Sequence, residues 1–325
     1  MDDGHHPLGQ RRLHHALTPA HFHIHIKSTS MKHLIMQHTI LLTGAAGGFG
    51  RLIANTLLDQ GHTLVATMRD PAGRNNEAAS ALMGRGARVI DMDVTDDESV
   101  AAAIAQVAQA LGSPDVVINN AGVGVHGLQE AFTADDLKRL FDINLFGVHR
   151  VNRALLPAWR ARRSGLMINI SSLLGRVTMP FYGPYNASKW ALEALSENYR
   201  TELSAFGIDV CIVEPGGYPT SFVDNLMRPS DASRQASYGP LADAPAQTLK
   251  HFEAVLAATP AQNPQRVADA IAALISLPRG ERPLRTTVDA LGMGAAVNGY
   301  NDALAGLTAG LYKNFGMDHM LKTQL

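Results

Sequence analysis

The chain has 325 residues, 46% of them hydrophobic, which is enough to bury one large core or two smaller ones. Its formal net charge of -1, with both signs interspersed, offers no basic footprint for nucleic acid or an anionic membrane. A single cysteine, Cys211, excludes an internal disulfide framework and a cysteine metal cluster; with no run of about 18 apolar residues to span a bilayer, the expectation is a cytoplasmic protein.

Nine of the fourteen histidines fall within the first 38 residues. Residues 1–37 are expected to form a poorly ordered His-rich leader or an over-extended start, since Met31 and Met36 both stand just before the first strand. A metal-binding tail and a mitochondrial presequence are the alternatives. From there, β-branched runs alternate with helical ones, as in a parallel sheet covered on both faces. Thr39 to Thr43 reads as a strand, Leu52 to Gln60 as a helix, Thr63 to Met68 and Arg88 to Asp91 as strands, Val100 to Leu111 as a helix and Asp115 to Asn119 as a strand. A long helix from Asp135 to Arg160 follows, then a strand at Leu166 to Ile170, a helix from Tyr185 to Phe206 and a strand at Ile208 to Val213. Runs such as Val116-Val117-Ile118 suit strands buried on both faces. After Pro215 the rhythm breaks, and residues 216–263, with a helical patch near Gln247 to Ala257, read as a substrate lid. A helix at Pro264 to Leu277, a strand at Arg285 to Asp289 and a helical tail over 291–325 complete an α/β, doubly wound parallel sheet, expected as a single Rossmann-type domain from residue 38 to 290 with the tail packed on it.

Directly after the first strand comes Thr43-Gly44-Ala45-Ala46-Gly47-Gly48-Phe49-Gly50, opening onto a helix. Glycines there let the backbone turn tightly and approach a pyrophosphate, whose charge meets free N–H groups and the positive helix end. Such turns also arise for packing alone. The second strand ends Thr67-Met68-Arg69-Asp70, with no acid at its end to hold a ribose 2′-hydroxyl and an arginine that accommodates a 2′-phosphate. NADP(H) is therefore the expected cofactor and NAD(H) the alternative; in the second case Arg69 is a solvated cation paired with Asp70.

Tyr185 and Lys189 stand four residues apart, on one face of a helix. About 0.15 such pairs are expected by chance in a chain of this composition, so the pair alone is suggestive. Its company makes it specific. Asp93-Val94, Asn119-Asn120-Ala121-Gly122, Asn144 in Asn144-Leu145-Phe146-Gly147, Ser172 thirteen residues before Tyr185, and Pro215-Gly216 with Thr220 follow the glycine loop in order. In this set the chain resembles the short-chain dehydrogenase/reductase family over residues 39–290.

The resemblance implies a hydride transfer between a nicotinamide and a carbonyl or alcohol, with Tyr185 as general acid and base. It also implies Lys189 on the nicotinamide ribose, Ser172 on the substrate oxygen and Asn144 on a water that links Lys189 to solvent. Thr43, Gly44, Gly48, Phe49, Gly50, Arg69, Asp93, Val94, Asn120, Ala121, Gly122, Pro215, Gly216 and Thr220 are the matching cofactor positions. Because Gly47 and Gly48 are both glycine, the loop fits the ordinary dehydrogenase branch and the epimerase-dehydratase branch alike, while the Asn-Asn-Ala-Gly motif and Asn144 favour the former.

The chemistry asks for these residues because an alkoxide formed from a carbonyl must be protonated as it forms. A cofactor-sensing regulator, or an epimerase or dehydratase using the same Tyr and Lys, are the competing functions. The lid and the Arg282-Pro283-Leu284-Arg285 run resemble the hydroxysteroid- and retinol-dehydrogenase-like subgroup, and Phe222, Leu226, Met227, Tyr238 and Leu241 are expected to give a pocket for a lipophilic carbonyl or alcohol. His126 reads as an exposed loop histidine or a substrate contact. The family also implies a homodimer or homotetramer built on the helices around Asp135 to Arg160 and Tyr185 to Phe206.

Overall fold

A computed structural model of the chain describes residues 36–325, so the leader histidines up to His33 lie outside the described residues. In chain order the elements are β1 (Thr39–Thr43), α1 (Gly48–Asp59), β2 (Thr63–Met68), α2 (Asn76–Gly84), β3 (Arg88–Asp91), α3 (Asp97–Leu111), β4 (Val116–Asn119), α4 (Ala134–Phe141), α5 (Gly147–Arg162), β5 (Gly165–Ile170), α6 (Gly183–Glu202), β6 (Ile208–Pro215), α7 (Ala232–Ala236), α8 (Ala244–Ala257), α9 (Gln265–Ser276), β7 (Arg285–Val288) and α10 (Met293–Asn314). The seven strands form one parallel sheet in the order β3-β2-β1-β4-β5-β6-β7. This is the expected doubly wound sheet. Its strand order reverses between β1 and β4, which opens a crevice at the carboxyl ends of those strands.

Alternation along β1 divides the core. Ile40 and Leu42 face α1 and α9 through Ile53, Leu57 and Ile271. Leu41 faces the opposite layer, where α3 supplies Val107 and α5 supplies Leu155 and Trp159. Each of these aliphatic side chains is essentially excluded from water, and each such burial stabilises by roughly 1.5–3 kcal/mol. Trp159 also donates its indole N–H to Pro114 O at 2.7 Å, so the one polar atom of the largest core side chain is satisfied.

Several boundaries differ from expectation for local reasons. Helix α1 begins at Gly48 rather than Leu52, because the loop glycines themselves wind its first turn. The expected helix from Asp135 to Arg160 is two helices joined by a π turn over Asp142–Phe146. Helix α6 stops at Glu202 and yields to a 3-10 turn, Ser204–Phe206, ended by Gly207 at φ +66°. Helix α2 has no expected counterpart: only Ala79 and Leu82 of its nine residues are buried, too few for a readable period. The 216–263 segment is no open loop either, since it carries α7, α8 and two 3-10 turns. Among the described residues no helix is long and apolar enough to cross a membrane.

The C-terminal helix is tied down through polar groups. Asn301 of α10 donates to Glu214 Oε2 at 2.7 Å and accepts from Arg176 Nε at 3.0 Å. Around it, Arg176 and Arg285 meet Glu193, Glu197 and Glu214, so two buried cations face three carboxylates. Burial, and then the charge of Glu193, push the Glu214 carboxyl up to about 7. The folded protein therefore binds this proton more tightly than the unfolded chain, whose value is 4.5, and stability falls as pH rises between them. Glu214→Gln is expected to flatten the decline of Tm between about pH 5 and pH 7. An unchanged slope in thermal melts across that range places the proton elsewhere.

Candidate active site

The crevice between β1 and β4 widens into a cavity of about 950 Å³. On its β1 side, Gly44 takes φ +66° and Gly48 φ +53°, conformations that side chains rarely adopt. Gly50 is needed for space, because a Cβ there collides with the Gly44 carbonyl oxygen. Gly47, by contrast, is extended at φ -157° and could carry a side chain. The glycines the backbone requires are thus Gly44, Gly48 and Gly50, the ordinary dehydrogenase spacing. Helix α1 begins with no side-chain cap, which leaves its first N–H groups free for an anion. These features fit a dinucleotide pyrophosphate.

Thr43 acts from behind the loop. Its hydroxyl accepts from Asn120 N at 3.0 Å and Ala121 N at 2.9 Å, while Asn120 Nδ2 donates to the Thr43 and Gly44 carbonyls at 3.0 Å each. The polar loop after β4 is thereby stapled to the glycine loop. Further in, Asn119 donates to both Asn152 and Asn169 at 2.8 Å, a buried amide network that holds the ends of β4 and β5 level.

At the end of β2, Met68, Arg69, Arg74 and Asn75 line the cavity with Met92, Asp93 and Val94. Arg69 is half-exposed and lies 3.8 Å from Asp93, not paired with Asp70. Asp70 instead takes φ +49° and accepts from Gly73 N and Arg74 N, turning the chain so that Arg74 returns to the same cavity. Sequence reading missed Arg74; a second arginine five residues after the first was the available signal.

Asn144 sits within the π turn, a local widening of the helix that recurs at functional sites. Its amide is fully buried and bonds both backbone groups of Val123, accepting from N and donating to O at 2.9 Å, and it donates to Ser188 Oγ at 3.1 Å. It does not line the cavity but stands against Gly122, where a Cβ would lie 3.4 Å from Asn144 Oδ1 and 3.8 Å from Lys189 Nζ. The following Gly147 is required because a Cβ there meets Val94 Cγ2 at 2.8 Å.

Tyr185 and Lys189 project from the first turns of α6 into the floor of the cavity, with Lys189 Nζ 5.7 Å from the Tyr185 ring and donating to Ile170 O at 2.8 Å. Burial pushes the Tyr185 phenol up to about 12, against the neighbouring Ser172 hydroxyl, which favours its ionised form. Burial also brings the Lys189 ammonium down to about 8, with Glu193 opposing. Ser172 Oγ accepts from Leu174 N at 3.1 Å and lies 3.4 Å from Pro215 O, so its hydroxyl is held at the cavity edge. Pro215, Gly216 and Thr220 line the same wall, as do Phe49 and Tyr218, whose rings meet edge to face at 5.5 Å.

The fourth wall comes from residues 216–263. Phe222 packs its ring 5.9 Å from that of Tyr185, and Leu226 and Met227 lie beside it. Tyr238 and Leu241, expected here, are elsewhere: Tyr238 bonds Glu130 at 2.6 Å and Leu241 is exposed, and Phe252 of α8 lines the cavity instead. This wall is pinned to the β4 loop by Met227 N donating to Gly124 O at 2.9 Å, and Asp136 accepts from Ser230 N and Oγ. Gly124 and Gly127 are needed at that junction, since a Cβ at either runs into Leu226, Phe222 or Pro229. Between them, His126 is buried rather than exposed. Arg282 and Arg285 serve the core: Arg282 bonds Asp209 at 2.7 Å and Arg285 bonds Glu193 at 2.9 Å.

The glycine loop and the buried Tyr185–Lys189 pair thus line one crevice of the parallel sheet. Residues 38–230 match the family model described as short chain dehydrogenase. The chain is 40% identical over 186 residues to the 3-ketodihydrosphingosine reductase of Bacteroides thetaiotaomicron, a match covering 57% of this chain and 66% of that protein. To retinol dehydrogenase 8 of Homo sapiens it is 34% identical over 259 residues, covering 76% of this chain and 80% of the relative. A crystal structure of a short-chain dehydrogenase from Streptomyces avermitilis superposes with a TM-score of 0.68 at 30% identity, covering 86% of this chain and 98% of that one. The chain belongs to the short-chain dehydrogenase family. It is an NAD(P)-dependent oxidoreductase acting on CH–OH and C=O groups, and the resemblance to the retinol dehydrogenases seen in its motifs holds over most of its length.

Proposed function

We propose that the protein reduces lipophilic ketones or aldehydes with NADPH, with Tyr185 as proton donor. The observation that carries this reading is the joint lining of one cavity: glycine loop and arginines at one end, Tyr185, Lys189 and Ser172 at the floor, and Phe222, Leu226, Met227 and Phe252 as an apolar wall. The bound cofactor supplies the hydride. Thr43, Gly44, Gly48, Phe49 and Gly50 would cradle its pyrophosphate, Asp93, Val94, Asn120, Ala121 and Gly122 its adenosine side, and Pro215, Gly216 and Thr220 its nicotinamide. Arg69 and Arg74 favour a 2′-phosphate over an unsubstituted ribose. Residues 216–263 act as the lid.

Burial keeps the Tyr185 phenol protonated, so it can donate to a developing alkoxide, whose oxygen is the stronger base. Ser172 orients the substrate oxygen and stabilises its growing charge. Lys189, still an ammonium at pH 7 with a value near 8, favours the phenolate left behind and holds the nicotinamide ribose. Asn144 supports this arrangement from behind Gly122 and Val123, with a water carrying replacement protons to Lys189. The relatives' named substrates, 3-ketodihydrosphingosine and retinol, are both lipophilic, which supports the same substrate class.

A panel of carbonyl compounds with NADPH tests the reading through loss of nicotinamide absorbance. Turnover of long-chain or cyclic apolar carbonyls is the expected result. Turnover of small charged carbonyls alone overturns the substrate class. Product formation without a change in nicotinamide oxidation state points to the epimerase or dehydratase alternative, and cofactor binding with no product to a sensor.

A further inference from the structure

His126 is 1% exposed at the cavity wall, and its Nε2 is buried without a hydrogen-bond partner. The ring is closely held. Its backbone N donates to Met227 O at 3.2 Å, and its plane meets Tyr182 at 4.6 Å and Phe181 at 6.1 Å between ring centres. The Arg228 guanidinium approaches Nδ1 at 3.5 Å. The same nitrogen lies 3.5 Å from the His126 carbonyl oxygen; a guanidinium only donates, so the contact favours the tautomer with the proton on Nε2. Burial, and then Arg228, bring the His126 imidazolium down to about 4, so the ring is neutral at physiological pH. Tyr182 lines the same cavity, and burial pushes its phenol up, so it is also neutral there.

Val123, Leu174, Phe181, Leu226 and Met227 are apolar residues of the same cavity, and Arg228 is the charged group beside the ring. An unpaired N–H among such groups is disfavoured, and a ligand that bonds it removes the penalty. Neither Tyr185 nor Lys189 needs the pair for proton transfer. We propose that His126 and Tyr182 form a neutral polar subsite that binds a second oxygen, a hydroxyl or carbonyl, on an otherwise apolar substrate. Both groups facing the ligand are uncharged, and Arg228, the cation that acts on both, does not line the cavity, so the subsite is assigned to a neutral oxygen rather than a carboxylate or phosphate. Arg228 positions His126 by favouring that tautomer. The inference rests on the carbonyl-reductase reading and narrows its substrate.

The test compares a medium-chain methyl ketone with the same ketone carrying a hydroxyl on successive chain carbons. It uses wild type, His126→Leu, His126→Gln and Tyr182→Phe. Two quantities are read: kcat/KM with NADPH, and ketone binding to the NADPH-loaded protein by quenching of nicotinamide fluorescence, the latter in a Tyr185→Phe background so that reduction does not consume the signal. Wild type is expected to bind at least one hydroxyketone about tenfold more tightly than the plain ketone. His126→Leu should erase most of that ratio through KM rather than kcat, and His126→Gln, which keeps an N–H, should restore part of it. Tyr182→Phe carries the same expectation should His126→Leu fail to fold. Wild-type protein that binds no hydroxyketone better than the plain ketone overturns the subsite, whether or not either compound is reduced. Discrimination in binding without any turnover leaves the subsite standing and sinks the reductase reading instead.

Discussion

Tyr185→Phe is expected to lower kcat by about a thousandfold while cofactor affinity stays within a few-fold of wild type. The change removes one oxygen and keeps the ring. The packing of that ring against Phe222 at 5.9 Å therefore survives, and so does the start of α6. What disappears is the proton that must reach the substrate oxygen as hydride arrives. With the phenol gone, the Ser172 hydroxyl can still hydrogen-bond the substrate oxygen but is too weak an acid to give up its proton, and the Lys189 ammonium stands 5.7 Å from the ring, donating to Ile170 O. Single-turnover absorbance with NADPH measures the chemical step, and nicotinamide fluorescence measures binding. A Tyr185→Phe protein that retains more than about a tenth of the wild-type kcat removes Tyr185 from its proposed role.

The second large effect concerns the cofactor. Arg69→Ala with Arg74→Ala is expected to weaken NADPH binding by about a hundredfold and NADH binding by only a few-fold, which inverts or erases the preference between them. A charge-assisted hydrogen bond contributes roughly 1.5–3 kcal/mol when sheltered, but Arg69 is half-exposed, so each arginine is assigned about tenfold rather than the full value. The same exposure makes the preference salt-dependent: raising ionic strength should narrow the NADPH/NADH affinity ratio in wild type and leave it flat in the double variant. Isothermal titration with both cofactors decides the matter. A wild-type preference for NADH, or a double variant with unchanged NADPH affinity, overturns the assignment.

Much of the site was readable because its parts are local. A glycine loop between a strand and a helix, and a tyrosine four residues before a lysine, have spacings that the backbone converts directly into shared faces. Long β-branched runs declared the buried parallel strands in the same way. The misses have a common cause. Arg74 returns to the cavity only because Asp70 takes φ +49° and turns the chain, a conformation no spacing announces. His126, just after the fourth strand, reads as an exposed loop histidine or a substrate contact; it is buried because Gly124 and Gly127 let residues 222–229 settle over it. Tyr238 and Leu241 have the composition of a pocket wall, but the helices within 216–263 direct Phe252 there instead.

The sequence by itself determined the alternation of strands and helices, the branch of the phosphate loop short of its Gly47–Gly48 ambiguity, and the Tyr185–Lys189 pair around which the proposed reaction is built. Periodicity and fixed spacing are properties of a chain and need no partner to be read. Tertiary structure alone decided which glycine carries the turn, that the long helix before β5 opens into a π turn at Asn144, that Arg69 faces Asp93 rather than Asp70, and that His126 lies buried beside Tyr182. The last three depend on contacts between segments far apart in sequence, whose energy no local pattern records, and the first on backbone torsions that two adjacent glycines leave open.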